Sequence, residues 1–229
     1  VSGARIEFDD VSVAFGERRA LHGVSVALDQ RRIGIIGSNG SGKSTFARML
    51  NGLVAPSSGQ VRVLGLDPAH QAKQLRRRVG FVFSNPDAQI IMPTVAEDVA
   101  FSLRGRELSL AEKRDRTAAA LERFGLTEHA DAPAHSLSGG QKQLLAMCAV
   151  LFGDPDLVVA DEPTALLDLA NTRRIRRHLL DELSQQLVVA THDMRIAAQC
   201  DIVLRFENGG LHDQGEPAAV IHRYERDHA

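Results

Sequence analysis

Cysteine is scarce: Cys148 and Cys200 are the only two in 229 residues. Two are too few for a disulfide framework and suit a reducing compartment. Neither sign of charge is in excess, with a formal net charge of −2 and an isoelectric point near 6.5. That balance removes the bulk electrostatic case for nucleic acid, and no nucleic-acid partner is expected. Long apolar runs are missing too. The longest, LLAMCAVLF at 144–152, falls well short of the ~20 residues that span a bilayer. The opening VSGARIEFDD has no apolar core, so no signal peptide is expected there. A cytosolic chain is expected, with other chains supplying any membrane crossing. Repeats and low-complexity tracts are absent. The arginine cluster RRIRR (173–177) is interrupted at helical spacing by Ile175 and Leu179 and reads as a solvated helix face.

What is present is alternation. ARIEFDDVSVAF (4–15) and VSVALD (24–29) have the period-two pattern of strands with one wet face. RRIGIIG (31–37) is a more continuously apolar strand, followed by a helix over 43–53 that Gly52 and Pro56 stop. A strand over 60–65, a helix near 70–78 and a strand over 79–84 come next. From about 93 to 152 the pattern is helical, with a capping box at Ser109 and Glu112, and Gly125 suited to a helix end. Strands over 156–161, 186–191 and 201–206 then alternate with helices near 169–184, 193–199 and 216–227. Such alternation predicts a largely parallel sheet. The fold class is therefore α/β, one domain over 1–229. Residues 1–85 and 153–229 form its core, and 86–152 form an inserted helical lobe.

GSNGSGKS (37–44) has the G-x-x-x-x-G-K-[ST] spacing between a strand and a helix. Gly37, Ser38, Asn39, Gly40, Ser41 and Gly42 let backbone N–H groups converge on phosphate oxygens, and Thr45 continues into the helix. Lys43 is placed to bridge the β- and γ-phosphates, and Ser44 to ligate Mg²⁺. LVVADE (157–162) brings two carboxylates to a strand's C-terminal end, where open α/β sheets bind ligands. Asp161 is the expected second Mg²⁺ group, and Glu162 the group that polarises an attacking water. None of Lys43, Lys73, Lys113 or Lys142 lies in an N-K-x-D sequence, which argues against a GTPase.

LSGGQ (137–141) precedes an apolar helix, and D-E-P-T (161–164), Leu167-Asp168 and T-H-D (191–193) follow in order. With these motifs the chain resembles the ATP-binding cassette (ABC) ATPases over essentially its whole length. The resemblance implies a P-loop NTPase (RecA-like) core with N-terminal antiparallel β-strands and an inserted helical subdomain. It implies ATP and Mg²⁺ as cofactors, with two ATP molecules sandwiched between two head-to-tail cassettes. Ser138, Gly139, Gly140 and Gln141 would then close over the γ-phosphate held by the partner's P-loop. Asp168 would sit near the dimer seam, His192 would contact the γ-phosphate, and Phe15 would stack on adenine. The second cassette could be a copy or a paralogue.

FVFSNPDAQI (81–90) resembles the family's segment F-Q-N-P-D-x-Q, with Ser84 in place of the first glutamine. In the family that glutamine reaches the Mg²⁺, and a one-carbon hydroxyl reaches roughly 2–3 Å less far. Ser84 is expected to weaken the metal–lobe linkage, and Gln89 to lie in the lobe without ligating metal. N-P-D-x-Q with TVAEDVAFSL (94–103) is similar to energy-coupling-factor (ECF) importers, which take up vitamins or metal ions such as biotin, cobalt or nickel. Within them, the P-loop block is most like the biotin-transport ATPases. A transmembrane coupling protein and a substrate-binding membrane subunit are the implied partners, at the cytoplasmic face of the membrane. The alternative is a soluble ABC ATPase acting on nucleic acid or ribosomes. That alternative is not favoured, because no coiled-coil heptads of the DNA-repair kind lie between the P-loop and LSGGQ, and the sequence shows one set of cassette motifs where translation-type relatives carry two.

Overall fold

Period-two patterning at the start becomes a long hairpin. Strands β1 (Ile6–Phe15) and β2 (Arg18–Leu28) pair antiparallel with Ile6 opposite Leu28. Ile6, Phe8, Val11 and Val13 turn to the core while Asp9 and Asp10 stay exposed. A computed structural model describes residues 6–165 and 167–228. Ala4 and Arg5 of the expected first strand, with the rest of the N-terminal stretch, lie outside them. β2 starts earlier than its alternation suggests. Gly16, at φ +60°, makes the tight turn that sets Phe15 opposite Arg18.

β3 (Arg32–Ile36) leads into α1 (Lys43–Met49), and β4 (Ser58–Val63) returns to pair with β1, completing a three-stranded antiparallel sheet. α2 (Ala72–Leu75) and β5 (Val79–Val82) follow. Then come α3 (Val95–Phe101), α4 (Leu110–Arg123) and α5 (Gly139–Phe152), with no strand between β5 and the next sheet element among the described residues. The Ser109–Glu112 capping box forms, and Leu121 and Phe124 are buried on one face of α4. A second box, Thr94–Glu97, starts α3.

The chain re-enters the sheet with β6 (Leu157–Asp161), then α6 (Leu169–Arg176), β7 (Gln186–Ala190), α7 (Met194–Ala197), β8 (Ile202–Glu207), β9 (Gly210–Gly215) and α8 (Pro217–Asp227). The second sheet has the order β5-β6-β7-β3-β8-β9. Its first five strands are parallel, and β9 is antiparallel to β8. Every residue of β6 and β7 is buried, as a parallel sheet covered on both faces requires. β9 was not foreseen from the sequence. Its signal is the Asn208-Gly209 pair, both at positive φ, a hairpin turn.

Two other boundaries moved. The helix expected to end near 184 passes at Arg177–Asp181 into a π-turn, and α1 closes at Met49, four residues short of expectation. α1 is locked between the sheets by Phe46, whose ring stacks on Phe8 at 4.3 Å and leans on Phe206 at 5.2 Å. Burying one such side chain contributes about 1.5–3 kcal/mol. This wedge fixes the loop before α1 against the C-terminal ends of β3 and β8.

Candidate nucleotide site

Gly37 leaves β3 at φ +145°, and a Cβ there would lie 2.2 Å from the Phe206 carbonyl oxygen, so no side chain fits. The loop therefore runs tight against β8 and turns back over a cavity of about 210 Å³. Arg18, Ala20, Asn39, Gly40, Ser41, Gly42, Lys43, Ser44, Thr45 and Glu162 line it. The buried Lys43 donates from Nζ to the carbonyls of Gly37 (2.7 Å) and Ser38 (3.0 Å). Burial holds its pKa below the usual lysine value, against the opposing pull of the Glu162 and Asp161 carboxylates. The Ser41 hydroxyl is buried without a hydrogen-bond partner, a polar atom that a phosphate oxygen would satisfy.

Asp161 ends β6, buried, and its Oδ1 accepts from the Ser44 hydroxyl at 2.8 Å. Arg48 lies 3.8 Å from the other oxygen. A hydroxyl and a carboxylate beside a phosphate cradle form the sparse, all-oxygen set that Mg²⁺ takes when substrate phosphates and water complete its octahedron. The residues present thus fit both the nucleotide and the metal.

The next residue breaks from the strand. Glu162 adopts φ +51°, a left-handed conformation that costs a non-glycine residue about 1–3 kcal/mol. Its N–H donates to the Ala190 carbonyl at 2.8 Å. Its Oε2 accepts from the His192 backbone at 3.2 Å and contacts the His192 Nδ1 at 2.7 Å. The structure thus pairs Glu162 with His192, which sequence reading had left apart. The imidazole side chain is 65% exposed and faces outward.

Ser138, Gly139, Gly140 and Gln141 do not line this cavity. They open α5, where Ser138 and Gln141 form a capping box. Gln141 Oε1 accepts from the Ser138 N–H at 2.9 Å, and its Nε2 lies 2.8 Å from Nε2 of His129. Ser138 and Gly139 are exposed and Gly140 is buried. A Cβ at Gly140 would come within 2.2 Å of the Asn171 side chain. Asn171 in turn holds both oxygens of Asp168, the exposed N-cap of α6, at 2.8 and 2.9 Å. Asp168 and the glycine tip are therefore neighbours in one chain, joined by a residue that no motif flagged.

Phe15 is 55% exposed, so it is not a core residue. Ser84 is exposed, and its side chain makes no hydrogen bond among the described residues. Gln89 lies against the end of β5, bonded to main chain. Sequence reading also missed Arg18 and Ala20. Only the hairpin's fold over the loop brings them to the cavity.

A family model described as "ABC transporter" matches residues 21–165. The chain belongs to the ABC transporter family. It is an ATP-binding protein and an ATP hydrolase. This ABC ATPase is 44% identical over 219 residues to the biotin transport ATP-binding protein BioM of Rhizobium etli, covering 96% of this chain and 97% of the relative. It is 43% identical to the energy-coupling factor transporter ATP-binding protein EcfA1 of Symbiobacterium thermophilum, over 95% of this chain and 81% of that one. Among solved structures, it matches cbiO1 of Clostridium perfringens, part of the ABC transporter complex cbiONQ. That match has a TM-score of 0.83 at 33% identity, over 96% of this chain and 92% of the other. The α/β fold of the ABC ATPase is thus the one its motifs implied. No helix among its described residues is long and apolar enough to cross a membrane.

Proposed function

We propose that this ABC ATPase powers an ECF-type importer for biotin or for a metal ion such as cobalt or nickel. It works at the cytoplasmic face of the membrane with a second cassette, a transmembrane coupling protein and a membrane subunit that recognises the cargo. The observation that carries the reading is the similarity to a biotin transport ATPase over 96% of the chain, joined to a phosphate loop with Ser44 and Asp161 beside it.

In this reading the Gly37–Ser44 loop cradles the nucleotide, and Phe15 stacks on its base. Lys43 neutralises charge between the β- and γ-phosphates. Ser44 and Asp161 would hold Mg²⁺, which would supply charge stabilisation on the phosphoryl group. Glu162 takes the proton of the attacking water, and its bond to His192 aims the carboxylate. The Ser138–Gln141 tip, with Gly139 and Gly140, completes the site of a second copy or a paralogue, and Asp168 lies at the seam. The absence of the tip from its own chain's cavity supports this. Residues 86–152 act as the lobe that presents the tip, between the core halves 1–85 and 153–229.

Purification of the chain with its membrane partners, reconstitution into vesicles and uptake of labelled biotin, Co²⁺ and Ni²⁺ tests the proposal. ATP-dependent uptake of one of them is expected. An ATPase stimulated by RNA or ribosomes, with no membrane subunit bound, would contradict it.

A further inference from the structure

β5 is the outer strand of its sheet, so among the described residues the main-chain groups along its outer edge have no strand to pair with. Two glutamine amides take that place where β5 ends. Gln89 accepts from the Phe83 N–H through Oε1 at 3.3 Å and donates from Nε2 to the Phe81 carbonyl at 3.1 Å. A side-chain amide carries the same donor and acceptor as a peptide unit, so it can imitate one residue of a neighbouring strand. Gln143, buried in the first turns of α5, donates from Nε2 to the Phe83 carbonyl at 3.0 Å. Beside it Lys142 pairs with Asp87 at 2.7 Å, and Asp87 sits in the short turn Pro86–Ala88 after Ser84.

We infer that Gln143 is a positioning residue that fixes the Ser138–Gly140 tip relative to the exit of β5, with Gln89 holding that exit in shape; together they form an amide clamp. Ser84, at the same exit, makes no side-chain hydrogen bond among the described residues, and the hydrogen bonds joining this segment to α5 come from its neighbours Phe83 and Asp87. The clamp acts on where the tip stands. It does not act on the P-loop, whose cavity contains none of these residues. The inference rests on the proposed two-cassette sandwich for its effect on turnover, but the clamp itself can be read in one chain.

Two measurements on the Glu162→Gln background separate them. Amide hydrogen exchange of the nucleotide-free chain reads the clamp. Gln143→Leu should speed exchange in the first turn of α5, over 139–143, and Gln89→Ala should speed it at Phe83, whose N–H donates to Gln89. Unchanged exchange in both variants overturns the inference. Sedimentation with ATP, beside binding of a fluorescent ATP analogue, reads the consequence. Gln143→Leu should weaken pairing by about tenfold, the effect of one lost buried hydrogen bond. Affinity for the analogue should stay within about twofold. A parallel loss of both signals a general defect and counts against the clamp.

Because Gln143 is buried, Asp87→Lys serves as a variant at an exposed site. It should weaken pairing by about two- to fivefold, as for a partly exposed ion pair, and Asp87→Lys with Lys142→Asp should restore it. No restoration removes the ion pair from the clamp. If the parent Glu162→Gln chain fails to pair with ATP, the sandwich reading falls, while hydrogen exchange still decides the clamp.

Discussion

Glu162 combines a left-handed backbone with a carboxylate held by His192. Its left-handed backbone, just past the end of β6, brings the carboxylate onto His192 while Asp161 bonds Ser44, which in the proposed mechanism gives the two adjacent acids separate roles. Glu162→Gln should retain ATP binding and slow hydrolysis by roughly 10²–10⁴, the contribution of a general base. Single-turnover phosphate release measures it, and unchanged turnover would move the base elsewhere. Gly140 makes a second prediction from shape alone. Its missing Cβ is the space that Asn171 occupies, and overpacking of this kind costs about 1–3 kcal/mol. Gly140→Ala should disturb the Asn171–Asp168 bonds and weaken ATP-driven pairing. Gly140→Ala with Asn171→Ala should recover part of the loss in sedimentation. The P-loop, Asp161 and Glu162 were legible because their spacing encodes backbone geometry directly. Asn171, His129 and Arg18 were not, since each matters through a neighbour distant in sequence.

Among the elements, the junction between α4 and the end of α6 has its own signature. His178, in the π-turn, stacks on Phe124 with ring centroids 4.2 Å apart and contacts Glu182 at 2.8 Å. Burial lowers its pKa below the ordinary histidine value, outweighing the pull of Glu182. The unfolded chain then binds the proton more tightly than the folded one. This contribution to stability is present above about pH 6.5 and is lost as the pH falls below it. Urea unfolding between pH 7.5 and 5.5 should show that loss, and His178→Phe, which keeps the stack, should flatten it. An equal slope in both proteins would place the titrating group elsewhere. The π-turn itself had no sequence signal, because the spacing of Ile175 and Leu179 suits an ordinary helix. The capping boxes show the opposite case. Ser109 with Glu112 was readable, and Thr94 with Glu97 carries the same pattern unnoticed. β9 was missed because it has glycines at both ends and no fully buried residue, which leaves little apolar pattern.

In the whole molecule, two sheets grip α1 and a helical segment leaves the edge of the larger one and returns to it. That path was readable from the order of strands and helices. The clamp on β5 was not, because an amide bonding to main chain leaves no mark in composition. The family match explains the order of motifs, and the geometry explains why the glycine tip is presented outward. In the proposed sandwich the tip acts on a second cassette. With Ser138→Cys and Asn39→Cys introduced on separate copies in the Glu162→Gln background, oxidative crosslinking measures whether that tip meets the opposing phosphate loop. The account predicts a covalent dimer that forms with ATP and Mg²⁺ and not without them. A crosslink indifferent to nucleotide, or none at all while the chains are paired, would contradict it.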